Sequence, residues 1–92
     1  EKEDIQRILA PMLDVICRRL TEQHGITLEI DDHVKEFLSE EGYKPEFGAR
    51  ELRRTVERLL EAKIAEHLLM HDEKAGKIWQ VQLEQQTILI ES

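Results

Sequence analysis

Between positions 5 and 20 the apolar residues Ile5, Ile8, Leu9, Met12, Leu13, Ile16 and Leu20 return every three or four places, with Arg7, Asp14, Arg18 and Glu22 elsewhere on the wheel. That spacing marks one face of a helix and predicts α-structure to about Gln23, stopped by Gly25. Pro11 interrupts the pattern. Proline removes a backbone donor and clashes with the preceding turn, so either a kink falls there or the main helix begins there. Ile26-Thr27-Leu28-Glu29-Ile30 then alternates strictly and predicts a short strand with Ile26, Leu28 and Ile30 on one face. Asp31 and Asp32 suit the start of a second helix, with Val34, Phe37 and Leu38 inward and Gly42 as a left-handed C-cap.

Residues 42–48, with two glycines and a proline, read as a loop. Beyond it Ala49, Leu52, Val56, Leu59, Leu60, Ile64 and Leu68 form a drifting apolar stripe. The stripe predicts a helix from about Ala49 to about His71, ~35 Å long at 1.5 Å per residue and the spine of the domain. A turn at Lys74-Ala75-Gly76 precedes an alternating run over 78–83, with Trp79, Val81 and Leu83 on one face, and a last β-rich run from Thr87 to Ile90. The intervening Glu84, Gln85 and Gln86 suggest a hairpin without the usual turn residues. The fold class is therefore α+β in the order αβααββ: three helices and a small three-stranded sheet.

Ninety-two residues form one domain, 1–92, and the start at Glu1 rather than Met suggests a piece of a longer chain. With 40% hydrophobic and 36% charged residues the chain carries enough apolar surface to fold. The formal charge of −7 argues against nucleic acid or anionic membrane as partners. No stretch approaches a membrane span, and one cysteine, Cys17, rules out an intrachain disulfide and fits the cytoplasm.

The spine helix opens with Arg50, Arg53, Arg54 and Arg58, although the positive end of a helix dipole disfavours cations by about 0.3–1 kcal/mol each when close. Arg53 falls at the margin of the apolar stripe and must snorkel or pair. Two readings stand. The arginines are a solvated face that pairs with acids elsewhere in an acid-rich chain. Alternatively, free amides at the helix start, close approach at Gly48-Ala49 and the guanidinium fork of Arg50 make an anion site. Composition does not choose between them.

Other candidates are weaker. His67 and His71 stand four apart, as zinc ligands can, but no third ligand is indicated. Cys17 lies among apolar and cationic residues with no histidine spaced to activate it. Glu40-Glu41 and Asp31-Asp32 read as caps and solubilising charge rather than an acid–base pair. Trp79 and Tyr43 are too few and too separated to stack bases.

The run Gly42-Tyr43-Lys44-Pro45-Glu46-Phe47-Gly48-Ala49-Arg50-Glu51-Leu52-Arg53-Arg54 resembles the Gly-Tyr-Asp-Pro-x-Tyr/Phe-Gly-Ala-Arg-x-Leu-Arg-Arg signature of Clp-family AAA+ unfoldases. The similarity covers nearly the whole chain and matches the C-terminal small domain of the second ATPase module. Lys44 replaces the usual acid, and Pro11 stands where an aliphatic helix residue is usual. The resemblance implies that Arg50 is the sensor-2 arginine facing the phosphates of ATP or ADP, with Gly48 and Ala49 beside it. It also implies that Ile8 and Leu9 border the adenine. It further implies that magnesium is held by the large domain, so the isolated chain is expected to have no metal site and no tightly bound cofactor.

The implied partners are the chain's own large ATPase domain, a neighbouring subunit in a hexameric ring and, through the full-length protein, unfolded or aggregated proteins. The expected function is a lid and sensor for ATP hydrolysis in a remodelling chaperone or protease ATPase. Alone the chain is expected to be no enzyme, because it lacks a phosphate loop and the paired acids that hold magnesium. Alternatives are a free-standing α+β protein-interaction module and, less consistent with the charge, a nucleic-acid binder.

Overall fold

The computed structural model describes residues 2–71 and 76–92, apart from the side chain of Lys2. The first helix, α1 (Lys2–His24), runs unbroken through Pro11. Pro11 and Arg7, whose carbonyl loses its partner there, are both exposed, so water can take the freed bond. Gly25, at φ 68°, ends α1 as a left-handed cap, its N–H donating to Thr21 O at 2.8 Å. Strand β1 (Thr27–Ile30) follows, then α2 (Asp32–Gly42), capped by the Asp31 carboxylate accepting from His33 N at 3.1 Å.

The predicted spine is one continuous run over residues 49–70 in three parts: α3 (Ala49–Val56), a π-helical turn (Glu57–Glu61) and α4 (Ala62–Met70). The π turn has a sequence cause. Leu52, Val56, Leu60 and Ile64 recur every four residues, and in a regular helix each would stand about 40° ahead of the last. Ala62 N–H instead donates five residues back to Glu57 O, which takes up the excess. All four side chains stay in the core, at 2%, 2%, 0% and 6% exposure.

Strands β2 (Ile78–Glu84) and β3 (Thr87–Glu91) form an antiparallel hairpin, and β1 pairs parallel to β2, giving the order β1-β2-β3. α2 and the spine make the crossover between the two parallel strands. Trp79, Val81, Leu28 and Ile88 turn toward the helices and are buried, while Thr27, Glu29, Gln80 and Gln82 face solvent. Of the turn expected at Lys74-Ala75-Gly76, Gly76 is left-handed at φ 92° and the other two lie outside the described residues.

Two local expectations change. Gly42 is not a left-handed C-cap: it is the last residue of α2, and Tyr43 caps it in extended conformation. Its small size is needed for packing instead, since a Cβ there would lie 2.7 Å from Leu52 Cδ1 and 3.0 Å from Leu52 Cα. The hairpin turn has two central residues rather than three, Gln85 and Gln86, at φ 50° and 62°. That is the primed-turn conformation which matches strand twist but suits asparagine and glycine.

Gly42→Ala is expected to destabilise the domain by about 1 kcal/mol, overpacking outweighing the gain in helix propensity, and Gly42→Val by more. Urea unfolding monitored by helical circular dichroism measures both. The double substitution Gln85→Asn, Gln86→Gly is expected to raise stability by about 0.5–1 kcal/mol in the same assay.

Candidate functional site

The start of α3 is built by the loop before it. Phe47 N and Gly48 N both donate to Lys44 O, at 2.9 and 3.0 Å, closing a tight turn. Gly48 has φ 56° and ψ −139°, and a Cβ there would meet nothing within 4 Å, so the backbone conformation alone calls for glycine. Among the described residues no side chain caps α3 at Gly48, and a helix's first amides have no partner within the helix itself. Arg50 lies in this first turn and is exposed. Among the described residues none of Arg50, Arg53, Arg54 and Arg58 takes part in an ion pair.

α1 and the spine lie side by side, and between them runs a cleft of about 560 Å³. Its α1 wall is Ile8, Pro11, Met12, Val15, Ile16 and Arg19; its spine wall is Ala49, Arg53, Val56, Glu57 and Glu61. A second hollow of about 140 Å³ shares Ile16, Arg19 and Glu61 and continues to His24 and Leu68. Both walls therefore run in the same direction along their helices.

The expected residues divide. Ile8, 41% exposed, and Ala49 face each other across the cleft. Leu9 is fully buried in the core and presents no surface to a ligand. Gly48 and Arg50 are exposed but do not line the cleft, whereas Arg53 does. Arg53 thus meets the demand of its marginal position by opening into the cleft. Met12, Val15, Arg19, Glu57 and Glu61 were not singled out as site residues from sequence. The signal for part of the set is present: Ile8, Met12 and Val15 repeat at four and three, one place behind the core row Leu9, Leu13 and Ile16. Two such rows are too many for one buried face, and the second lines the cleft.

The remaining candidates have local roles. Cys17 is half-buried, its thiol pointing at Leu28 O at 3.9 Å. Burial chiefly, then the nearby Asp14 charge, raises its pKa above the ordinary thiol value against the opposing effect of Lys35, so thiolate chemistry is disfavoured. His67 and His71 stack with ring centroids 4.0 Å apart, and His67 meets the buried Trp79 edge-on at 4.4 Å. Among the described residues no group of three His, Cys, Asp or Glu converges as a metal site. No helix there is long and apolar enough to cross a membrane.

The helices thus pack on one face of the sheet, and among the described residues the uncapped, arginine-bearing start of α3 stands beside an apolar cleft. Comparison with known proteins identifies the family. The profile of the C-terminal, D2-small domain of ClpB protein matches residues 1–87, and the chain belongs to that family of Clp ATPase domains. It is 44% identical over 75 residues to a ClpA homolog, an ATP-dependent Clp protease ATP-binding subunit, of Porphyra purpurea (82% of this chain, 9% of the relative). Identity to the chaperone protein ClpB of Clostridium perfringens is 42% over 77 residues (84% and 8%). Identity to the ATP-binding subunit ClpC of Staphylococcus aureus USA300 is 36% over 76 residues (83% and 9%). The chain spans less than a tenth of the length of these relatives.

Proposed function

We propose that this domain is the lid and sensor of an ATP site completed by a large ATPase domain, in a Clp-type protein that remodels other proteins as a hexameric ring. The observation that carries this reading is the cleft between α1 and the spine, with Ile8 and Ala49 on facing walls next to the uncapped start of α3. Its volume lies in the range of small-molecule sites, and its wall combines an apolar row with the guanidinium groups of Arg19 and Arg53. Ile8, Met12 and Val15 offer a surface for a base. The free amides of α3 and the Arg50 guanidinium offer donors to phosphate oxygens. Leu9 acts from behind, by holding α1 in the core so that Ile8 faces outward.

ATP, when bound, supplies the phosphoanhydride whose cleavage changes the charge in front of Arg50. Arg50 then exerts less pull on the site, and the domain relaxes as one body because α1 and α3 share one core. Magnesium and the attacking water belong to the large domain in this scheme, so the isolated chain has no turnover of its own. That none of the four arginines is in an ion pair among the described residues supports a role toward charge supplied from outside.

Arg50→Ala in the intact parent protein is expected to lower ATP turnover or nucleotide affinity at least tenfold, approaching the ~10³ of an arginine acting on the transferring group. Folding stability should change by less than about 0.5 kcal/mol, because the side chain is exposed. Steady-state ATPase assays with a nucleotide titration test this; wild-type kinetics would remove Arg50 from the site. The isolated 92-residue chain should show no magnesium-dependent ATP hydrolysis by phosphate release.

A further inference from the structure

Pro11 sits inside α1 and on the α1 wall of the cleft. In a helix the carbonyl of residue 7 points along the axis at the nitrogen of residue 11, and proline has no hydrogen there to give. The Arg7 carbonyl is therefore without its helical donor. Among the described residues no hydrogen bond from outside α1 reaches it. Residues 7 and 11 are both exposed, so in the domain alone water meets this oxygen. Because Pro11 lines the cleft, the oxygen opens at the cleft's lip, beside Ile8 and at the end where Ala49 begins the spine wall.

We propose that the Arg7 carbonyl, freed by Pro11, accepts a hydrogen bond from the 6-amino group of the bound purine and makes the site selective for 6-aminopurine over 6-oxopurine nucleotides. This rests on the nucleotide reading above, in which the base lies along Ile8, Met12 and Val15. A carbonyl oxygen only accepts, so what it selects is a donor. An adenine presents an N–H there, whereas a 6-oxopurine sets its own carbonyl against it, two acceptors face to face. Closure of a large domain over the cleft strips the water from the Arg7 oxygen, and a buried carbonyl left without a donor costs free energy. The base that brings the donor avoids that cost, and the analogue that lacks it does not.

The other acceptors of the cleft stand elsewhere. Glu57 and Glu61 line the spine wall about two turns or more past Ala49, where Arg53 and Arg19 share the cleft with them and compete for their carboxylates. The Arg7 oxygen lies at the Ala49 end, next to the tip of α3. The Arg7 side chain does not line the cleft, so the contact is the backbone oxygen and not the guanidinium. Any residue but proline at position 11 would return an N–H to Arg7 and close the helix bond before a ligand arrives.

The test measures equilibrium binding of nucleotides to the intact parent protein, with the phosphate loop of its other ATPase module disabled. ATP is compared with purine riboside triphosphate, which has hydrogen in place of the 6-amino group, and with inosine triphosphate, which has a carbonyl there. ATP should bind most tightly and inosine triphosphate least. Pro11→Ala returns an N–H to Arg7 and should lower the affinity ratio of ATP to the purine riboside analogue about three- to tenfold, the worth of one hydrogen bond. Arg7→Ala removes the side chain, keeps the carbonyl and should keep the ratio. In an ATP-bound structure of the parent the 6-amino nitrogen should lie within about 3.2 Å of Arg7 O. The proposal is overturned if Pro11→Ala weakens ATP and the analogue alike, if it leaves their ratio unchanged, or if Glu57→Gln removes the ratio instead. Arg50→Ala separates this inference from the nucleotide reading, because loss of a phosphate contact should weaken all three nucleotides equally. That result with an unchanged ratio in Pro11→Ala overturns this inference alone; wild-type turnover and affinities in Arg50→Ala overturn both.

Discussion

The contact between the end of α2 and the first turns of the spine decides where everything else points. Gly42 lets Leu52 approach so closely that a single added carbon would collide with its Cδ1 and press tightly on its Cα. Leu52 lies two residues beyond Arg50, so this contact also sets the position of the uncapped tip of α3. Buried hydroxyls tie in the neighbouring turns: Thr55 Oγ1 donates to Glu51 O within the spine, and Ser39 Oγ links Lys35 O on α2 to Gln6 on α1. The tip is thereby held by core packing rather than by a cap, which leaves its amides available to a ligand.

That packing resolves the electrostatic oddity of the spine. Four guanidinium groups near a helix N-terminus cost stability unless negative charge comes close, and an acid-rich chain had ample means to provide it. The folded domain does not use them, since among the described residues none of the four arginines is in an ion pair. Under the proposed lid, a phosphate-bearing site would supply the missing negative charge from outside the domain.

Much of the fold was legible in the sequence because burial periodicity carries it. The core row Leu9, Leu13, Ile16 and Leu20, the alternation through Trp79 and Val81, and the cap at Gly25 are local patterns with local causes. The site was only half legible. The resemblance in residues 42–54 singles out Arg50 but is silent about the cleft, which needs two helices distant in sequence to lie side by side. Leu9 and Ile8 are adjacent in the chain and equally apolar, yet one is buried and the other lines the cleft, because successive helix positions differ by about 100°.

By itself, then, the chain determined its elements, their order, its core rows and its family, since each depends on spacing along one segment. Tertiary structure alone decided that Gly42 serves a helix contact rather than a cap and that a π turn absorbs the four-residue repeat. It also decided that Arg53 rather than Arg50 lines the cleft and that Pro11 stands on the cleft's wall. These outcomes depend on which surfaces meet across long separations, and the geometry of such meetings is set by the packing of the whole core.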